Sequence, residues 1–216
     1  MGGLGWRGEG SGRGYEVRPW MRDVASTRVE ARLLAVHWSL ARRGEPAVGG
    51  GEVPFLVGVE RKTVDKAARR LADAGILVAD AGGLLGRRVD EGALRALVGG
   101  DGLSGSGDGY VVLPWMPAAL GRRARSIQLD LLAVVSTLGG AGGRRGFETT
   151  SDGLAGLVGC SPTALRQTLR GLVSMGLVRA EVVASARWGH QRVVSLALDE
   201  RACAERVELM GALPAA

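Results

Sequence analysis

Apolar residues recur at helical spacing in two places along the chain. Val29, Leu33, Val36 and Leu40 form one series; Ile127, Leu131, Val134 and Leu138 form the other, 98 positions later. Steps of three and four residues put each set on one face of an α-helix. Each series runs into a glycine-rich stretch that ends the helix, RRGEPAVGGGE in the first and GGAGGRRG in the second. Two further stretches then align at an offset of 101: LVGVERKTVDKAARRLADAGIL (Leu56 to Leu77) and LVGCSPTALRQTLRGLVSMGLV (Leu157 to Val178).

The second of these stretches is the clearer. Leu154 and Leu157 predict a short helix, and Gly159 a turn at positive φ. Ser161 is a good N-cap and Pro162 a good first helical residue. Leu165, Leu169 and Leu172 share one face of the helix that follows, and Gly176 closes it. In the first copy Leu56, Gly58, Val64, Ala68, Leu71 and Gly75 take the same places, with Glu60 as a poorer cap. After Gly176, LVRAEVVA, SARWGH and QRVVSLAL read as strand, turn and strand. The first copy has the shorter ILVADAGGLLGRRVD.

Upstream of both helices stand near-identical octapeptides, GYEVRPWM from Gly14 and GYVVLPWM from Gly109, at an offset of 95. Their alternation predicts a short half-buried strand, with Trp20 and Trp115 as core anchors. The growing offset marks an internal duplication with small loop insertions. The predicted organisation is a disordered tail over 1–13, one domain over 14–97, a flexible Gly/Ser linker over 98–109, a second domain over 110–198 and a C-terminal helix and tail over 199–216. Asp199 is predicted to cap that last helix, with Ala202, Val207 and Leu209 on its apolar side. His37 falls on an apolar helix face and is read as a core or interface histidine. Cys160 is read as a small buried hydrophobe.

Composition adds a partner class. The formal charge is +6 and the pI about 10.3, which favours a polyanion. The basic residues are 26 Arg and two Lys, there is no Asn, and Ile occurs only at 76 and 127. That pattern suits a GC-rich genome, so only the placement of the basic residues is informative. Both lysines, Lys62 and Lys66, fall in the segment from Glu60 to Arg70, which holds five basic and two acidic residues. Two cysteines and two histidines make neither a disulfide framework nor a zinc site. No phosphate loop and no paired-carboxylate motif is present, so the chain is expected not to be an enzyme and to use no cofactor or metal. Without a signal-peptide core or a run of about 18 apolar residues, it is expected to be cytoplasmic and nucleoid-associated, with no membrane partner.

Two helices joined by a glycine turn and followed by a strand pair resemble the winged helix-turn-helix family, over about residues 14–97 and 109–198. The resemblance implies a mainly α fold with small β wings (α+β), in two duplicated winged helix-turn-helix domains. It also implies that the second helix of each motif enters the major groove of DNA while the wing meets backbone or minor groove. Carried onto this chain, the first copy would contact DNA through Arg61, Lys62, Thr63, Lys66, Arg69 and Arg70, with Arg87 and Arg88 on the wing. The second would use Ser161, Thr163, Arg166, Gln167 and Arg170, with Arg187, Trp188, His190 and Arg192 at the wing tip. Arg suits guanine, Gln adenine, and Ser or Thr phosphate. Asp65 would repel phosphate unless it pairs with Arg61 or Arg69 at i±4.

The expected function is sequence-specific binding of double-stranded DNA at an asymmetric bipartite site, in transcriptional regulation. The alternative is a plasmid or phage replication-initiator or partition protein. From another class, tandem winged-helix subunits of chromosome-organising complexes bind protein. Self-association is left open, and no small-molecule ligand is evident. The twelve-residue linker would span about 20 Å as a coil, against about 34 Å between successive major grooves on one face.

Overall fold

The computed structural model describes residues 14–45, 52–79, 87–99, 109–121, 126–139, 146–183 and 193–211. The chain is mainly helical with small antiparallel sheets, in an order that repeats. The first half runs β1 (Tyr15–Val17), α1 (Pro19–Val24), α2 (Arg28–Arg43), α3 (Val53–Val57), α4 (Arg61–Asp73), β2 (Leu77–Ala79), β3 (Arg87–Val89) and α5 (Glu91–Val98). The second runs β4 (Tyr110–Val112), α6 (Trp115–Leu120), α7 (Ser126–Leu138), β5 (Phe147–Thr150), α8 (Ser151–Val158), α9 (Pro162–Ser174), β6 (Val178–Val183), β7 (Val193–Leu198) and α10 (Glu200–Gly211). Only β5 has no counterpart among the described residues of the first half. It pairs with β7, which also pairs with β6, in a three-stranded sheet.

Local chemistry accounts for the boundaries. Thr27 caps α2 by accepting from the Glu30 N–H at 3.2 Å, and Gly44 ends the helix at φ 65°. Ser161 caps α9 through the Ala164 N–H at 3.2 Å, with Pro162 as first helical residue. Glu60 makes no such side-chain bond at the start of α4. Asp90 and Asp199 cap α5 and α10 in the same way, accepting from Ala93 and Ala202 at 3.0 Å. Their backbone N–H groups also donate to equivalent carbonyls, those of Ile76 and Leu177. The terminal helix is thus part of the repeat. Its buried face is Cys203 and Ala204 with Val207 half-buried, whereas Leu209 is exposed.

The two long helices differ from their sequence expectation. Spacing predicted one apolar face on α2, yet Glu30 to Leu40 are buried without interruption, as are Leu129 to Val135 on α7. A helix buried all round lies inside a core, and here the other half covers the remaining side. Each buried leucine or valine contributes about 1.5–3 kcal/mol. Trp20 is buried with its ring edge-on to Trp38 at 5.5 Å, while Trp115 is only half-buried. His37 is a core residue, 7% exposed. Cys160, after the Gly159 turn, is half-buried and packs against the core.

The twin octapeptides find each other. β1 and β4 pair antiparallel, Tyr15 opposite Val112, Glu16 opposite Val111 and Val17 opposite Tyr110. Equivalent residues therefore flank a local two-fold axis through the Glu16–Val111 pair. The central N–H groups make matching bonds to their own long helices, Glu16 to Ser39 Oγ at 3.1 Å and Val111 to Thr137 Oγ1 at 2.9 Å. The apolar leader strand of the second copy is covered by the leader strand of the first, and one continuous core spans both halves. Strand pairing and this core, in addition to the connecting segment, join the halves.

Candidate nucleic-acid interface

α4 and α9 are placed alike. Each follows a short helix and a glycine in the left-handed region, Gly58 at φ 72° and Gly159 at φ 67°. Each turns an apolar stripe inward: Val64, Ala67, Ala68 and Leu71 on α4, Leu165, Thr168 and Leu172 on α9. The outward face of α4 exposes Arg61, Lys62, Thr63, Asp65, Lys66, Arg69 and Arg70. That of α9 exposes Ser161, Thr163, Arg166, Gln167 and Arg170. Helical periodicity thus brings the predicted helix residues together on two surfaces.

Within those surfaces the charges are arranged differently. Asp65 lies 3.9 Å from Arg61 and accepts from Arg69 Nε at its backbone carbonyl, 3.4 Å away. These pairs are exposed and weak, so Arg61 and Arg69 remain available to a polyanion. Arg166 occupies the α9 place equivalent to Asp65. Its Nε donates to the Pro162 carbonyl at 3.2 Å and its Nη2 to Thr163 Oγ1 at 3.4 Å, both at the surface. Beside it, Arg166, Leu169, Arg170, Val173 and Ala180 line a groove of about 360 Å³.

Two predicted residues have structural partners that sequence reasoning did not provide. Arg70 reaches the buried carboxylate of Glu30 at 3.1 Å and ties α4 to α2. Glu30 also accepts from the Ser26 N–H at 2.8 Å. Arg87 is folded back to donate to the Ala68 carbonyl at 2.6 Å, and His37 bonds to the Arg87 backbone. Arg88 remains exposed on β3. Arg187, Trp188, His190 and Arg192 lie outside the described residues.

Sequence reasoning also missed what fixes the second turn. Arg28 from the first half donates to the Val158 carbonyl at 2.6 Å and to the Gly159 carbonyl; Arg22 donates to the Gly156 and Leu157 carbonyls. They satisfy the last carbonyls of α8, where a cation is favoured by the helix dipole. The equivalent positions in the second half are Ser126 and Pro117. At the first turn a cavity of about 650 Å³, lined among others by Phe55, Gly58, Pro117 and Val207, takes the place of those guanidinium groups.

Between α2 and α7 lies a buried ionic cluster. Arg32 Nε stands 2.9 Å from Asp130 Oδ1 as an ion pair, both side chains 1% exposed, and Arg28 Nη1 is 3.0 Å from Asp130 Oδ2. Arg32 also donates to the carbonyls of Val57 at 2.7 Å and Ser126 at 2.6 Å. Burial is the largest single influence on Arg32 and would lower its pKa, but the charge of Asp130, smaller contributions from Tyr15 and Tyr110 and the hydrogen bond to Asp130 together outweigh it, and the pKa is raised. Burial, ahead of the Asp130 charge, pushes the Tyr110 phenol well up. The only visible signal was that Arg32 and Asp130 occupy equivalent positions in the two helical series.

Among the described residues no helix is long and apolar enough to cross a membrane, and no group of three or more His, Cys, Asp or Glu could hold a metal ion. No model of a known protein family matches the chain, and no curated protein matches its sequence.

Proposed function

We propose that the chain is a sequence-specific double-stranded DNA-binding protein made of two winged helix-turn-helix units, with α4 and α9 as its reading helices and a role in transcriptional regulation. One observation carries this reading: both helices follow a left-handed glycine turn, bury an apolar stripe and expose a face rich in Lys, Arg, Thr and Gln. The antiparallel pairs β2–β3 and β6–β7 that follow are the wings.

The chemistry of the two faces divides the work. On α9, Arg166 pairs with guanine O6 and N7 and Gln167 with adenine, each contact being worth about 1–3 kcal/mol against the wrong base. The surface bonds that hold Arg166 are exchanged for base contacts at little cost. On α4, Lys62, Lys66 and Arg69 meet phosphate, and Asp65 accepts from a cytosine amino group. Charged rather than apolar side chains on both faces argue against protein docking as their task.

The test is selection of bound sites from random duplex by the full chain, repeated with Arg166→Ala and Lys66→Ala. Arg166→Ala is expected to relax preference at one position of one half-site. Lys66→Ala is expected to weaken all sites by a similar factor. Recovery of no enriched duplex would end the proposal.

A further inference from the structure

Contacts between the halves come in reciprocal pairs. A Cβ placed on Gly58 of the first turn would lie 3.8 Å from Pro117; one placed on Gly159 of the second would lie 2.8 Å from Arg22 Nη1. Gly58 is equivalent to Gly159, and Pro117 to Arg22, so each turn rests on the same place of the opposite half. The β1–β4 register and the Ser39 and Thr137 bonds obey the same axis. A head-to-tail arrangement would not make contacts reciprocal. At the axis, one position carries Arg32 in one copy and Asp130 in the other. Two first halves paired this way would bury arginine against arginine, and two second halves aspartate against aspartate. One chain thus supplies both members of the pair.

Resting on the DNA-binding reading, we infer that α4 and α9 meet DNA as an inverted pair at fixed separation. The target is then an inverted bipartite duplex element, its unlike half-sites centred one helical turn or a whole number of turns apart. A single chain reads it as a symmetric dimer reads a palindrome. Spacing follows from the packing between α2, α7 and the twin strands rather than from the reach of the linker.

The polarity is made visible by giving α4 the face of α9. Lys62→Thr, Asp65→Arg and Lys66→Gln install the residues found at the equivalent positions Thr163, Arg166 and Gln167, and all three sites are exposed. Selection from random duplex with this triple variant is expected to return an inverted repeat at one spacing. As a second measurement needing no variant, inserting a half turn of about 5 base pairs into the wild-type site is expected to weaken binding about 100-fold or more, since only one half then engages. A direct repeat, or an affinity indifferent to the insertion, would overturn the inference while leaving DNA binding intact. Wild-type chain that retards no duplex at low salt would overturn both.

Discussion

Asp130→Asn puts the joint between the halves under load. The substitution keeps the shape of the side chain and removes its charge. Arg32, 1% exposed, loses the carboxylate 2.9 Å from its Nε, and Arg28 loses its partner at 3.0 Å. Removing one partner of a buried ion pair costs about 3–5 kcal/mol, because the other charge is left without compensation. Arg32 keeps the carbonyls of Val57 and Ser126, and Arg28 is partly solvated, so the lower end applies, about 3 kcal/mol. With a urea slope of about 2 kcal/mol/M, the unfolding midpoint falls by about 1.5 M at unchanged slope. Arg32→Met combined with Asp130→Leu removes both charges, and the double variant is expected to recover most of the loss. Urea denaturation of the three chains measures both effects. A loss under about 1 kcal/mol for Asp130→Asn, or a double variant worse than the single, would refute the view that a buried charge pair joins the halves.

Two further outcomes follow from the same packing. Burial holds His37 down to about 4 from 6.5, the hydrogen bond to the Arg87 backbone opposing this and the Arg87 charge adding to it. Above pH 6.5 the residue is neutral in both states; as pH falls towards 4 only the unfolded chain gains the proton. Stability should therefore drop by roughly 3 kcal/mol over that window, and His37→Gln should lack this slope; parallel curves for the two chains would exclude a buried neutral histidine. Gly58→Ala meets Leu129 Cδ2 at 2.9 Å besides the strain of φ 72°, whereas Gly75→Ala, also at φ 72°, meets nothing within 4 Å. Thermal unfolding should rank Gly58→Ala as more damaging, at about 1–3 kcal/mol, with Gly75→Ala near the low end; equal costs would remove the close approach of the first turn to α7.

What could be read in the sequence was the local part. The glycine turns, the Ser161–Pro162 cap and the leucines of α9 are short-range signals, and they locate the exposed faces of α4 and α9. Asp199 marked the start of α10 in the same way. The equivalent Asp90 gives a weaker signal because α5 is only eight residues long and runs into a glycine-rich stretch. α1 and α6 are illegible for a related reason, being six residues each, the first starting at a proline and the second just after one, too short to show a helical period. The joint between the halves was illegible for another cause. It depends on two three-residue strands 95 positions apart and on charged residues that, read alone, belong on a solvated helix face. Arg32 and Asp130 are charges inside the buried runs of α2 and α7, and their partnership accounts for why those two side chains lie in the core. Arg70 and Arg87 carry the same lesson: a basic residue on a helix or wing contributes to an interface only if no buried acceptor has already claimed it.

The claim that α4 and α9 grip DNA is tested most directly by the salt dependence of binding. The full chain is titrated onto mixed-sequence duplex by fluorescence anisotropy between about 50 and 200 mM salt. Leaving aside Arg70, which is tied to Glu30, the exposed cations of the two faces are Arg61, Lys62, Lys66, Arg69, Arg166 and Arg170, and each phosphate neutralised adds about −0.9 to the slope of log K against log salt. The account expects tight binding at the low end and a slope of roughly −5. Absence of binding at the lowest salt, or a slope near zero, would contradict it.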